Sequence, residues 1–168
     1  MSFSEMSLVK AVLLYGFACG TAGIITLFAG IPIPRRIVNY HAFPFRLYGF
    51  EKKGKLYEKI GVHRWKDGLP DASKVLKSMT KKKVNMKMDA AGLDRLIRET
   101  CIAEIVHWLL MLLTPVYSLF VPLGYGIVLS LIYALCNLPF IIVQRYNRPR
   151  LIHAMELMKK REMRRKKA

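Results

Sequence analysis

Apolar residues run without a charge from 11 to 34, a stretch of 24 residues. A helix needs about 20 apolar residues to cross the hydrocarbon core of a bilayer, so this stretch is long enough for one crossing. A second apolar stretch, 102–143, covers 42 residues, which is twice a single crossing. Its middle holds Pro115, Pro122, Gly124 and Gly126, residues that end helices and allow the chain to turn. The pattern predicts an all-α integral membrane protein with three transmembrane helices, over about 8–30, 102–119 and 123–143. A two-helix chain with a buried or re-entrant third segment is the competing arrangement.

Between the apolar stretches the periodicity changes. Ile31-Pro-Ile-Pro34 ends the first helix, because proline denies the next turn its hydrogen bonds. Residues 40–50 carry Phe and Tyr around Pro44 and Arg46 with no helical period, and such rings suit the headgroup level. In 52–66, Leu56, Ile60 and His63 share one stripe with lysines elsewhere, the pattern of a short interfacial helix that Gly68-Leu-Pro-Asp71 then breaks. Asp89 is placed to cap a helix running through Leu93, Leu96 and Ile97 into the second span. Pro149 stands where a first helical turn tolerates it. Ile152, Met155 and Met158 would then edge an amphipathic helix at the membrane surface. The sequence shows no internal repeat, and 1–168 reads as one membrane domain.

Composition supports this reading: 53% hydrophobic residues and a mean hydropathy of +0.22 are too apolar for a soluble domain of this size. The first span has Glu5 against Lys10 ahead of it, a weak basic region for a cleaved signal, and reads as a retained anchor. The net charge of +17 is unevenly spread: 31–100 carries 17 basic and 7 acidic residues, and 144–168 carries 10 and 2. The positive-inside rule puts both basic segments in the cytoplasm. Three spans meet it with the N-terminus outside and the C-terminus inside the cell membrane. Lys81-Lys-Lys83 is most simply a patch against anionic lipid, and the basic tail suits the membrane surface better than nucleic acid. Cys19, Cys101 and Cys136 form no pairing pattern and read as small packing residues. No His/Cys/Asp cluster has ligand spacing, so no metal site is expected.

Glu104 and His107 are the residues of 102–143 that titrate near neutral pH. Three apart, they lie on one helix face. A charge at mid-span costs roughly 2.5–3.5 kcal/mol on insertion scales, which makes the pair a functional candidate. The charge asymmetry places it just below the cytoplasmic surface, on the same side as Gln144-Arg-Tyr-Asn-Arg-Pro-Arg150 and His63-Arg-Trp-Lys-Asp67. Such a set favours transfer to a hydroxyl. A neutral His107 takes the proton and Glu104 fixes its tautomer. Arg145, Arg148 and Arg150 hold an anionic group, and Asn147 or Gln144 donates to an oxyanion. Arg64 and Trp65 would join from the middle segment, Trp65 also serving as an interface anchor. The bland readings are that His107 bonds a neighbouring helix, that Glu104 pairs with Arg98 or an arginine of 145–150, and that the arginines are stop-transfer charges. His63 and Asp67 fall one residue short of the His-x4-Asp spacing of glycerolipid acyltransferases and are not read as that motif.

Ala103-Glu-Ile-Val-His-Trp108 and Asn137-Leu-Pro-Phe-Ile-Ile-Val-Gln-Arg-Tyr-Asn-Arg-Pro-Arg-Leu151 resemble the glycosyl-4,4'-diaponeurosporenoate acyltransferase family of staphyloxanthin-type carotenoid synthesis. The resemblance extends to Phe50-Glu-Lys-x-Gly-Lys-Leu-Tyr57 and to Arg64-Trp-Lys66. It implies a small basic membrane acyltransferase that esterifies a sugar of a glycosylated carotenoid or related glycolipid. It implies an acyl-CoA-like donor as co-substrate and no cofactor. It carries over Glu104, His107, Gln144, Arg145, Asn147, Arg148 and Arg150 as site positions. Two readings stand beside it: a non-catalytic protein whose basic surface binds anionic lipid or a partner enzyme, and a transferase of another type acting on a prenyl lipid or glycolipid. The oligomeric state is not read from the sequence.

Overall fold

A computed structural model describes residues 6–30, 32–70 and 89–167, so the Lys81-Lys-Lys83 run lies outside the described residues. All regular structure among them is helical. The long helices are α1 (Leu8–Gly30), α4 (Ala90–Leu112) and α6 (Leu123–Lys167), with short helices α2 (Lys55–Lys59), α3 (Val62–Trp65) and α5 (Thr114–Ser118). Among the described residues, three helical stretches are long enough and contain an apolar enough segment to cross a membrane: Leu8–Gly30, Ala90–Ser118 and Leu123–Lys167. The chain forms two compact units, Met1–Ile33 with Glu104–Ile141, and Pro34–Ala103 with Ile142–Ala168.

In the first unit α1 buries Ala11, Tyr15 and Cys19, each four residues after the last and so on one face. They pack with Tyr117 and Val121. Tyr15 and Tyr133 each meet the Tyr117 ring edge-on, at 6.1 and 6.2 Å. The remaining surface of α1 exposes Leu8, Val9, Leu13, Phe17, Ile24, Ile25 and Phe28, a face suited to lipid rather than water. The break between α4 and α5 follows from Pro115, whose ring has no N–H for the Met111 carbonyl four residues back. The Thr114 hydroxyl donates to that carbonyl instead, at 2.8 Å. The turn into α6 is tight, and a Cβ at Gly126 would stand 2.7 Å from Ser118 Cβ.

In the second unit Asp89 caps α4 as expected: its Oδ1 accepts from Gly92 N–H at 2.8 Å. The first turns of α4 pin residues 35–40. Arg35 makes two bonds to the Glu99 carboxylate, at 2.8 and 3.2 Å. Tyr40 donates to Asp94 at 2.9 Å, and Arg98 donates to the carbonyls of Arg35 and Val38.

Three local expectations are corrected. Of the 40–50 aromatics, Phe43 and Phe50 are exposed, but Tyr40 and Phe45 are buried in the protein rather than laid out at the headgroups, because Tyr40 finds Asp94 and Phe45 lies under Arg148. The helix expected over 52–66 is split into α2 and α3 by Gly61, at φ +68°, a conformation cheap only for glycine. Its packed side chains are Tyr57 and Val62, against Tyr146, and not the Leu56–Ile60 stripe. Pro149 does not begin a new helix: α6 continues through it, and Met155 is buried.

Candidate active site

α4 carries Glu104, His107 and Trp108. Glu104 is 1% exposed and accepts a long bond of 3.5 Å from Trp108 Nε1, one turn on. His107 Nδ1 lies 2.9 Å from Asn137 Oδ1 on α6. Asn137 is itself buried, and its Nδ2 donates to the Tyr133 carbonyl at 2.9 Å. With Nδ2 committed to that carbonyl, the carboxamide turns its oxygen to His107 and accepts from Nδ1–H. Phe140 stacks on the imidazole at 4.5 Å with 15° between planes, one turn along from Asn137, and holds the ring from its face. At Nδ1 the partner of His107 is Asn137, a residue that the sequence alone does not single out. Asn137 was missed because it stands 30 positions from His107 in an apolar run, where a lone amide carries no periodic signal.

The other expected site residues belong to the second unit. Arg145 forks onto Glu51, with Nε to Oε1 at 2.6 Å and Nη2 to Oε2 at 3.0 Å, and donates further to the carbonyls of Pro44 and Arg46. Its guanidinium also stacks over Tyr48. Glu51 is fully buried and also accepts from the Tyr57 hydroxyl and the Tyr48 N–H. Burial alone would raise the Glu51 carboxyl, but the donors from Arg145, Tyr57 and Tyr48 outweigh it and hold it below the ordinary carboxylate range. Tyr57 is pushed up by burial and by the Glu51 charge. Arg148 is fully buried and donates to Thr100 Oγ1 at 3.0 Å and to the Phe45 carbonyl at 2.8 Å. These two arginines therefore brace the 44–51 loop, where the sequence reading had set them at the rim of a donor site. Arg150 is exposed and pairs with Glu58 at 3.1 Å. Arg64 is exposed, Asn147 is half-buried, and Trp65 packs beside Tyr57, Val62 and Tyr146. Gln144 is buried, its Oε1 without a hydrogen-bond partner among the described residues. Glu51 gave no sequence signal as a partner for Arg145, since 94 positions separate them.

Residues 40–157 match the glycosyl-4,4'-diaponeurosporenoate acyltransferase family. The chain belongs to that family. Glycosyl-4,4'-diaponeurosporenoate acyltransferase of Staphylococcus aureus strain MRSA252 is 29% identical over 164 residues, 93% of this chain and 97% of that protein. The enzymes of the same name from strains bovine RF122 / ET3-1 and N315 are each 31% identical over 136 residues, 79% of this chain and 80% of theirs. No solved structure matches the chain. Membership in the glycosyl-4,4'-diaponeurosporenoate acyltransferase family makes this an acyltransferase, and the matched segment spans Glu51, Glu104, His107, Asn137 and Arg145.

Proposed function

We propose that this protein esterifies a sugar hydroxyl of a glycosylated carotenoid, or a closely related glycolipid, with a fatty acyl group from an acyl-CoA-like thioester. The observation that carries the chemistry is the His107–Asn137 bond at 2.9 Å: with Nδ1 held by Asn137, His107 in its neutral form would present Nε2 to a substrate hydroxyl. In this reading Nε2 takes the hydroxyl proton as the sugar oxygen attacks the thioester carbonyl. Collapse of the tetrahedral intermediate breaks the carbon–sulfur bond and expels thiolate, which receives the proton from the imidazolium. Asn137 holds the tautomer through both steps, as the orienting member of a His-based catalytic set does.

The substrate class rests on the relatives' name, and the enzyme class on the family. The exposed Arg64 and Arg150, with the basic tail, suit anionic lipid headgroups. The charge distribution favours an enzyme of the cell membrane with its N-terminus outside and its basic segments in the cytoplasm. The test is ester formation in cells that make the glycosylated acceptor. Expression of the chain should produce the acyl ester, and His107→Gln at equal protein level should not.

A further inference from the structure

A groove of about 270 Å³ lies along the first unit, lined by Thr114, Ser118, Ile127, Ser130, Leu131 and Ala134. Its polar atoms are already committed. Thr114 Oγ1 donates to the Met111 carbonyl at 2.8 Å, Ser118 Oγ to the Pro115 carbonyl at 2.6 Å, and Ser130 Oγ to the Thr114 carbonyl at 3.2 Å. Tyr15 hydroxyl then donates to Ser130, at 2.9 Å. With each hydroxyl hydrogen spent internally, the groove offers hydrocarbon and no donor to an occupant.

The groove also follows the helix face that bears the candidate base partner. On α6, Asn137, Ala134, Ser130 and Ile127 succeed one another at spacings of three, four and three, which is one face. Ser130 lies two turns from Asn137, roughly 10 Å along the axis, and Ile127 roughly 15 Å. On the opposing wall Thr114, at the start of α5, follows His107 by seven residues along the chain. A chain whose carbonyl sits at His107 would therefore run into the groove toward the α5–α6 turn. The volume of about 270 Å³ falls just under the roughly 300–1,000 Å³ of small-molecule pockets, room for one flexible chain and not for a glycosylated polyene.

We propose that this groove holds the fatty acyl chain of the donor, with Ile127 at its far end measuring chain length. This rests on the acyl transfer proposed above and adds where the chain lies. The test is competition among saturated acyl-CoA donors of graded length, in membranes containing the protein and the glycosylated acceptor, with the esters resolved by mass. Ile127→Trp should shift the product toward shorter chains and Ile127→Ala toward longer ones. The expected effect is a shift of the most abundant ester to a shorter chain in Ile127→Trp and to a longer one in Ile127→Ala. Wild-type chain distributions in both variants, or equal loss of all lengths at wild-type protein level, would overturn the assignment and leave the groove as a surface for bulk lipid. His107→Gln in the same assay separates the two claims. Its loss of every chain length together, beside unchanged Ile127 variants, would remove the groove and keep the chemistry. Undiminished esters in His107→Gln would remove the chemistry instead.

Discussion

Asn137 Oδ1 lies 2.9 Å from His107 Nδ1, while the same carboxamide donates from Nδ2 to the Tyr133 carbonyl, also at 2.9 Å. One amide is thus oriented by the α6 backbone and presents its oxygen to Nδ1 of an imidazole on α4. Removing it leaves His107 able to adopt the wrong tautomer. Asn137→Leu should lower kcat for acyl transfer by about 10²-fold or more, within the range of general-base effects, with a much smaller change in KM. Asn137→Asp, which still accepts from Nδ1–H, should retain more activity than Asn137→Leu. Steady-state kinetics on membranes matched for protein level checks both. Equal activity of Asn137→Leu and wild type would detach Asn137 from the chemistry.

Glu51 and Arg145 form a buried, two-bond ion pair, and breaking such a pair by removing one partner costs about 3–5 kcal/mol. Glu51→Ala should therefore lose most of its folded protein in a detergent thermal-stability assay. Arg145→Lys keeps the charge and loses the fork, and should fall between Glu51→Ala and wild type. The pH dependence follows from the lowered Glu51 carboxyl. Its contribution is fully present above the unfolded value of about 4.3 and is lost as pH falls through the lower folded value. Acid titration of stability should thus be less steep in Glu51→Ala than in wild type.

The turn between α5 and α6 depends on one missing side chain. A Cβ at Gly126 would meet Ser118 Cβ at 2.7 Å and its carbonyl oxygen at 3.0 Å, whereas a Cβ at Gly124 meets nothing within 4 Å. Gly126→Ala should cost about 1–3 kcal/mol as an overpacked contact, and Gly124→Ala should be neutral or slightly stabilising. Thermal midpoints of the two variants in one detergent distinguish them directly.

What the sequence made legible was set by local physics. Unbroken apolar length marked the three long helices, Pro115 marked the turn of the hairpin, and Asp89 announced its own cap. The Glu104–His107 face was visible for the same reason, since three-residue spacing is a property of the helix itself. The partners were not visible. Asn137 reaches His107 across 30 positions and Glu51 reaches Arg145 across 94, so neither contact leaves a periodic trace. The arginines of 145–150 show the cost of reading charge alone. A cationic run beside an apolar span looks like a rim, yet Arg145 and Arg148 turn inward because the 44–51 loop supplies carbonyls and a carboxylate for them. Pro149 misled in the other direction, because a proline after a polar run resembles a helix start and here sits inside α6.

The central claim is that His107 is the base for acyl transfer. It is tested most directly by the single-turnover rate of ester formation from a defined acyl-CoA and the glycosylated acceptor, measured for His107→Gln against wild type in detergent-purified protein. A glutamine keeps a polar side chain of similar reach for Asn137 and Phe140 but cannot take up the hydroxyl proton. The account predicts a fall of about 10²–10⁴-fold with the thermal midpoint near that of wild type. A rate within about threefold of wild type, from protein equally well folded, would contradict it.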